Sequence, residues 1–200
     1  MPLQNRVQPD GEIIAHPTYG AYMGNRGILH DAHRTLGTAR WRLKAWVTCR
    51  LEFKGRNRTV MSPRRYTELF FFDEAVAFAA GHRPCAECRR DHFNTFKQAA
   101  VIKGKIKSFD DDLHRHRAHM RPYRQRRVEL PLDDLPDGTF VQTPTGQSAL
   151  VLGDALVPFA PSGYQPRVIR PRGITLPVLT PVPLINALRG GYLLDMRVPD

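Results

Sequence analysis

The sequence has little cysteine: 200 residues contain only Cys49, Cys85 and Cys88. A small, odd number of thiols argues against the disulfide framework that stabilises small secreted domains. The N-terminus also lacks the apolar core of a signal peptide, and no apolar run is long enough to span a bilayer. These absences predict a cytoplasmic protein without membrane segments, whose thiols are reduced or bind a metal.

Acidic side chains are scarce relative to basic ones. The chain has 19 Asp and Glu against 30 Lys and Arg, a formal net charge of +11 with a pI near 10.1. Such an excess favours a polyanionic partner, because lysine and arginine release counterions from phosphates on binding. The excess lies before residue 128, since residues 128–200 contain more acidic than basic side chains. A basic surface that serves solubility alone is the alternative.

Glycine-rich phosphate loops and a nucleophile-elbow serine are absent, but a Cys-x-x-Cys pair is present at Cys85 and Cys88. Two thiolates at this spacing reach one tetrahedral ion from a single turn, as in a zinc knuckle. Residues 41–53 alternate in a pattern that predicts a strand with Cys49 on its buried face. Cys49 is therefore the natural third ligand, or else a small buried hydrophobe.

The pattern of the chain predicts an α+β fold. Further strands are expected at 58–61 and 66–72, and a helix is expected to begin at Asp73 and to end at Gly81. A second helix is expected over 91–101. The chain then divides into a zinc-binding module of mixed strands and short helices (1–100), a basic helix or linker (101–127) and a β-rich unit (128–200).

One part of the chain, about residues 27–93, resembles a known family. Phe70-Phe71 and Glu74-Ala75 precede the segment AAGHRPCAECRRD at 79–91, and Gly27-Ile28-Leu29-His30 lies upstream. This arrangement resembles the zinc-binding N-terminal domain of the Ada DNA-repair proteins, in which a short helix delivers the second cysteine pair of a four-cysteine site. The resemblance implies a related zinc fold and contact with DNA.

The resemblance also places His30 where that family has its first cysteine, which is both a zinc ligand and the methyl acceptor. Imidazole is a good zinc ligand but does not replace a zinc-activated thiolate, so methyl-acceptor repair is not expected. His30 is thus the best fourth ligand of a structural Cys3His zinc site with Cys49, Cys85 and Cys88, and His33 competes with it. If only three protein ligands bind, water can take the fourth position and the zinc can be catalytic.

The favoured function is binding of nucleic acid, DNA ahead of RNA, with zinc holding the fold. The arginines expected to contact phosphates are Arg83, Arg89, Arg90, Arg115, Arg117, Arg121, Arg124, Arg126 and Arg127. A metal-dependent nuclease or repair enzyme is the alternative, because His30 and Asp31 and the carboxylates and imidazoles of 110–119 are groups that such enzymes use. A module that binds an acidic protein is the second alternative.

Overall fold

The structure is a computed structural model that describes residues 1–55, 59–120 and 122–199. Within these ranges the chain forms four α-helices and three sheets, which confirms the α+β prediction and its β-rich character. None of the helices described is long and apolar enough to cross a membrane.

The first sheet is mixed and is formed by the N-terminal part of the chain. Its strands are β1 (Gln4–Val7), β2 (Ile13–Ala15), β3 (Tyr22–Asn25), β4 (Val47–Cys49), β5 (Leu69–Phe71) and β6 (Arg83–Pro84). Their spatial order is β2-β1-β5-β3-β4-β6, with β1 parallel to β5 and β4 parallel to β6. The other pairs are antiparallel. This order makes β4 and β6 neighbours in space, although 33 residues lie between them in the sequence, from position 50 to position 82.

 The contact between these two strands sets up the site described below.

Two short strands, β7 (Ala118–His119) and β8 (Arg124–Gln125), pair as an antiparallel hairpin. The remaining sheet has seven antiparallel strands in the C-terminal part. They are β9 (Val128–Pro131), β10 (Phe140–Gln142), β11 (Ser148–Leu152), β12 (Ala155–Ala160), β13 (Gly163–Tyr164), β14 (Val168–Ile169) and β15 (Thr175–Val178). The main path runs β13-β12-β11-β10-β15-β9, and β14 also pairs with β12. This sheet begins at Val128, where the composition of the chain changes.

The helices are α1 (Glu74–Ala79), α2 (Arg90–Ala99), α3 (Ile106–Arg117) and α4 (Val182–Arg189). Helix α1 starts where the sequence predicts, because the Asp73 carboxylate accepts a hydrogen bond from the Val76 backbone N–H at 2.9 Å. The chain leaves it through Gly81 at φ +83°, a conformation that glycine adopts without steric cost. All six residues of α1 are buried, so this helix lies at the centre of the molecule.

A single apolar cluster joins the two larger sheets. Leu69 and Phe71 from the first sheet pack with Phe140 and Val157 from the second, around the alanines of α1. Leu194, Met196 and Val198 add to the same cluster from the C-terminal side. The core therefore crosses residue 128, and the parts before and after it bury their apolar faces against each other.

The strand predicted over 41–53 differs from the observed one. Only Val47–Cys49 form a strand, and the buried side chains are Trp46 and Thr48, whereas Val47 and Cys49 are half-buried. The prediction chose the wrong face because it placed Trp46 on the polar face of the strand, whereas the large ring of Trp46 is buried in the core. The strand predicted over 58–61 begins outside the described residues, and residues 59–61 form no strand.

Candidate metal centre

Three thiols come together at one end of the first sheet. The Sγ atoms of Cys49, Cys85 and Cys88 all lie within 4.8 Å of one another. Three sulfurs bound to one tetrahedral zinc at about 2.3 Å would be about 3.8 Å apart, so only small side-chain movements separate this arrangement from a metal site. The three cysteines are thus positioned to hold a metal ion.

The parallel pairing of β4 with β6 brings two of these thiols together. Thr48 pairs with Pro84, and the Cys85 backbone N–H donates to the Thr48 carbonyl at 3.0 Å, which extends the ladder by one bond. Cys49 and Cys85 consequently leave the ends of neighbouring strands side by side. The third thiol follows in the turn that leads into α2.

Backbone amides surround the sulfurs of this turn. The Glu87 N–H donates to the Cys85 sulfur at 3.4 Å. The Arg89 N–H donates instead to the Cys85 carbonyl at 3.2 Å and so closes the turn. The Arg50 backbone amide donates to the Cys88 sulfur. Donors that point at sulfur stabilise a thiolate, the form of cysteine that binds metals.

The thiols differ in acidity because they share hydrogen bonds. A hydrogen bond from Cys49 lowers the pKa of Cys85 to about 5, and the amides of Cys88 and Glu87 act in the same direction. The same bond to Cys85, together with burial, raises the pKa of Cys49 far above its usual range. Burial raises the pKa of Cys88 as well. One thiol of the cluster therefore ionises readily, and a bound cation would take the place of the protons on the other two.

The sulfurs line a cavity of about 500 Å³. Apolar groups form much of its wall, among them Met23, Val47 and Phe70. Arg50 and Glu68 add charged groups to the same wall. Neither residue stands out in the sequence, because nothing in the local pattern around position 50 or 68 marks a cavity.

His30, expected as the fourth ligand, does not join the three cysteines. Its Nε2 donates to the Ser62 carbonyl at 3.2 Å, so its Nδ1 accepts from the Thr67 hydroxyl at 2.7 Å. Both ring nitrogens are thus engaged within the protein, and His30 lines a different cavity from the cysteines. His33 is exposed and lies outside the thiol cluster too, in a turn where its N–H donates to Asp31.

Three of the arginines expected at a phosphate surface are buried instead. Arg83 is 4 % exposed, Arg89 2 % and Arg117 1 %. Arg83 holds both oxygens of Asp110 at 2.7 Å, and Arg89 holds Glu74 at 2.7 Å. Internal carboxylates and carbonyls accept hydrogen bonds from these three side chains, so their guanidinium groups do not lie at the surface as expected.

Arg117 donates to the backbone carbonyls of Gly81 and Lys44, and its guanidinium carbon lies 3.9 Å from the centre of the Trp46 ring. Burial lowers its pKa well below the usual range of arginine, and the nearby charge of Arg26 acts in the same direction. It is therefore a structural cation that rests on an aromatic ring.

The other predicted arginines lie at the surface, except Arg121, which is outside the described residues. The exposed ones are Arg90, Arg115, Arg124, Arg126 and Arg127. Arg115 pairs with Asp112 at 2.8 Å, and Arg127 donates to the Gln142 side chain at 2.6 Å. Arg124 and Arg126 lie on and next to the β7–β8 hairpin, so the structure gathers part of the predicted basic surface there.

Beside this hairpin is a small pocket rich in arginine, which we call the arginine pocket. Four arginines and three aromatic rings line it, together with only two carboxylates, Asp10 and Glu12. These residues are Arg26, Arg40, Arg117, Arg124, Trp41, Trp46 and Tyr123. Arg26 lies 4.2 Å from the centre of the Trp46 ring, and burial lowers its pKa to about 9. Neither Arg26 nor Arg40 was selected from the sequence as a binding residue. Trp41 and Trp46 lie close to Arg40 and Arg42 in the sequence, however, and a mixture of aromatic and basic residues is typical of nucleic-acid surfaces.

The acidic and histidine cluster of 110–119 is dispersed by its helix. Asp110 binds Arg83, Asp111 binds Lys44 and Lys107 at 2.8 Å each, and Asp112 binds Arg115. His114 packs against Trp41 and Trp46. In the part of the chain that the structure describes, the three cysteines are the only such group within metal-binding distance.

The Asp31 carboxylate accepts from the His33 and Thr35 backbone N–H groups at 2.8 and 2.9 Å, and these bonds close a turn. The hydrogen bond from Thr35 is the main reason that the pKa of Asp31 lies below its usual value. The residues expected for a nuclease centre thus have local structural partners.

The chain as a whole was compared with known proteins. It has no significant match to a family model, to a curated protein or to a solved structure.

Proposed function

We propose that this chain is a zinc-binding protein that binds nucleic acid, DNA ahead of RNA, with the zinc in a structural role. Zinc is the proposed metal because the protein donors are sulfur alone, and soft thiolates select zinc over magnesium or calcium. The ion would tie the end of β4 to the turn before α2. The preference for DNA and the relation to the Ada zinc domain rest on the resemblance of residues 27–93.

The observation that carries the nucleic-acid proposal is the arginine pocket beside the β7–β8 hairpin. Two internal arginines of this chain, Arg83 and Arg89, are paired with carboxylates, whereas Arg26 and Arg117 rest on Trp46 in the pocket. The exposed Arg124 at the mouth adds positive charge. The donors of Arg26 and Arg117 are engaged by internal groups, so these two would add positive charge behind Arg124 rather than bind phosphate directly. A positive pocket with few carboxylates favours phosphate groups.

The binding mode would be backbone contact with limited base contact. Arg124 and Arg126 would bind phosphates from the hairpin, and the half-exposed ring of Tyr123 offers an aromatic surface beside them. Contacts of this kind give affinity that depends strongly on salt and weakly on sequence.

Two measurements on the purified full chain test the proposal. Elemental mass spectrometry is expected to find one zinc per chain, and fluorescence anisotropy is expected to show binding to a DNA duplex that weakens steeply with salt. An RNA duplex of the same sequence is expected to bind more weakly. Absence of zinc from folded protein would contradict the metal assignment, and equal binding to poly-glutamate would favour an acidic protein partner. Divalent-dependent cleavage of the DNA would favour the nuclease alternative.

A further inference from the structure

The protein supplies three metal ligands at the thiol cluster, whereas zinc in proteins is almost always four-coordinate. Every cysteine and every histidine of the chain lies within the described residues, and none beyond Cys49, Cys85 and Cys88 belongs to the cluster. His30, the best candidate from the sequence, is held by Thr67 and Ser62. Among the described residues, no fourth cysteine, histidine or carboxylate belongs to the cluster, so the fourth position is open to an added ligand.

The space next to the sulfurs indicates what that ligand is. The three cysteines line the cavity of about 500 Å³, which is large enough for a small organic molecule. Met23, Leu51 and Phe70 give it apolar walls, and its charged lining residues are Arg50, Glu68 and Glu87. A hydrocarbon group would be favoured by these walls.

The donor set also selects the ligand. Three thiolates on Zn²⁺ give a centre with one net negative charge, which reduces the acidity of a bound water relative to a centre with neutral imidazole ligands. Such a centre is poorly suited to generate hydroxide. A sulfur-rich site instead favours a further soft donor.

We propose that the metal centre binds a small thiol with an apolar substituent as its fourth ligand, inside this cavity. The proposal rests on the metal centre of the proposed function and adds a ligand site to it. On binding, the thiol S–H gives its proton to solvent, the sulfur donates an electron pair to the metal, and water leaves. The step involves no oxidation or reduction.

Cobalt substitution tests the proposal, because Co²⁺ accepts the same geometry and its thiolate bonds absorb in the near ultraviolet. The cobalt-loaded full chain is titrated with phenylmethanethiol and, in parallel, with phenylmethanol, which differs only in the donor atom. We expect the thiol to raise the charge-transfer absorbance to saturation by about one third, as one thiolate joins three. We expect no response to the alcohol.

The outcomes separate the ligand site from the metal centre. Failure to bind cobalt would overturn both proposals, whereas cobalt binding without a response to the thiol would overturn the ligand site alone. An equal response to the alcohol, or removal of cobalt by the thiol, would also overturn the ligand site.

A pair of variants places the ligand in the cavity. Val60→Phe narrows the cavity, and Val168→Phe is the matched control on exposed β14. We expect Val60→Phe to weaken phenylmethanethiol binding at least tenfold with cobalt retained, and Val168→Phe to leave it unchanged. Equal affinity of both variants would move the thiol out of the cavity.

Discussion

Arg89 and Glu74 form an ion pair inside the protein. Arg89 Nη1 lies 2.7 Å from Glu74 Oε1, and their side chains are 1 % and 0 % exposed. Arg89 directly follows Cys88, and Glu74 is the first residue of α1. The Tyr192 hydroxyl donates to the same carboxylate at 2.7 Å. One carboxylate thus connects the thiol turn, the central helix and the C-terminal segment.

Glu74→Gln tests the energetic importance of this pair. The substitution keeps the shape of the side chain but leaves the Arg89 charge buried without a counter-charge, so we expect the free energy of unfolding to fall by about 3–5 kcal/mol. Urea denaturation measures it. Asp112→Asn is the control, because its exposed pair with Arg115 is expected to contribute less than about 1 kcal/mol. Equal stability of the two variants would contradict the role given to the buried pair.

Cys85→Ser is expected to release the metal. The hydroxyl is a poor ligand for zinc, and the thiol that ionises most readily is lost. Metal content per chain after gel filtration measures the effect. Ala86→Ser adds a hydroxyl to the same turn without removing a ligand and is expected to retain the metal. Full metal content in Cys85→Ser would refute the assignment of the centre.

Replacement of Arg124, Arg126 and Arg127 by alanine is expected to weaken DNA binding. Each lost phosphate contact reduces the dependence of log K on log salt by about 0.9, so the slope should become shallower by about 3 in the triple variant. Anisotropy titrations at several salt concentrations give the slope. The control replaces the exposed Arg167 and Arg189 in the C-terminal part, and an equal loss there would show that the effect reflects net charge alone.

His82 is expected to make the fold sensitive to acid. Its ring is fully buried, and burial together with the charge of Arg26 lowers its pKa well below the usual value. Arg26 donates to Nε2 at 3.1 Å, so Nδ1 carries the proton and donates to the Val47 carbonyl at 3.1 Å. The folded state therefore requires the neutral ring.

Since the unfolded chain takes up this proton at a pKa of about 6.5 and the folded chain does so only at much lower pH, stability is lost as the pH falls below about 6.5. Urea denaturation at pH 7.5 and 5.5 measures the loss. His82→Gln cannot titrate and is expected to show a smaller difference between the two pH values. The exposed His33→Gln serves as the control and is expected to behave like the unmodified protein.

A chain that ends at residue 127 is not expected to fold. The first sheet and α1 would lose the apolar partners that Phe140, Val157 and Leu179 provide. Circular dichroism and amide-proton dispersion in NMR spectra measure the outcome, and addition of the separate 128–200 fragment is the control for recovery. A cooperative thermal transition of 1–127 alone would show that the N-terminal part is an independent domain.

The sequence was informative where the structure depends on short segments. The Cys85 and Cys88 turn and the Asp73 cap of α1 follow from local spacing and from capping residues. Cys49 could be named as the third thiol for a different reason, because it is the one other cysteine in the sequence. The face of its strand was not found, because burial of Trp46 depends on Arg26 and Arg117.

The arginines show the limit of local reasoning most clearly. Arg83 and Arg90 look alike in the sequence, yet one is buried and the other exposed. The difference lies in Asp110, which is 27 residues further along the chain and meets Arg83 only after α3 packs against this part of the protein. The place of His30 likewise depends on Thr67, 37 residues away.

The bonds of Glu74 also set an order of events during synthesis. Its partners Tyr192 and Asp195 follow it by 118 and 121 residues. A ribosome needs on the order of ten seconds to add that length of chain. For most of this interval the thiol turn and Arg89 have already been made, while the Glu74 carboxylate still lacks Tyr192 and Asp195. Since residues 1–127 are not expected to fold alone, the three thiols are expected to come together only after these later partners of Glu74 have been made, and a metal ion would then be bound late in synthesis.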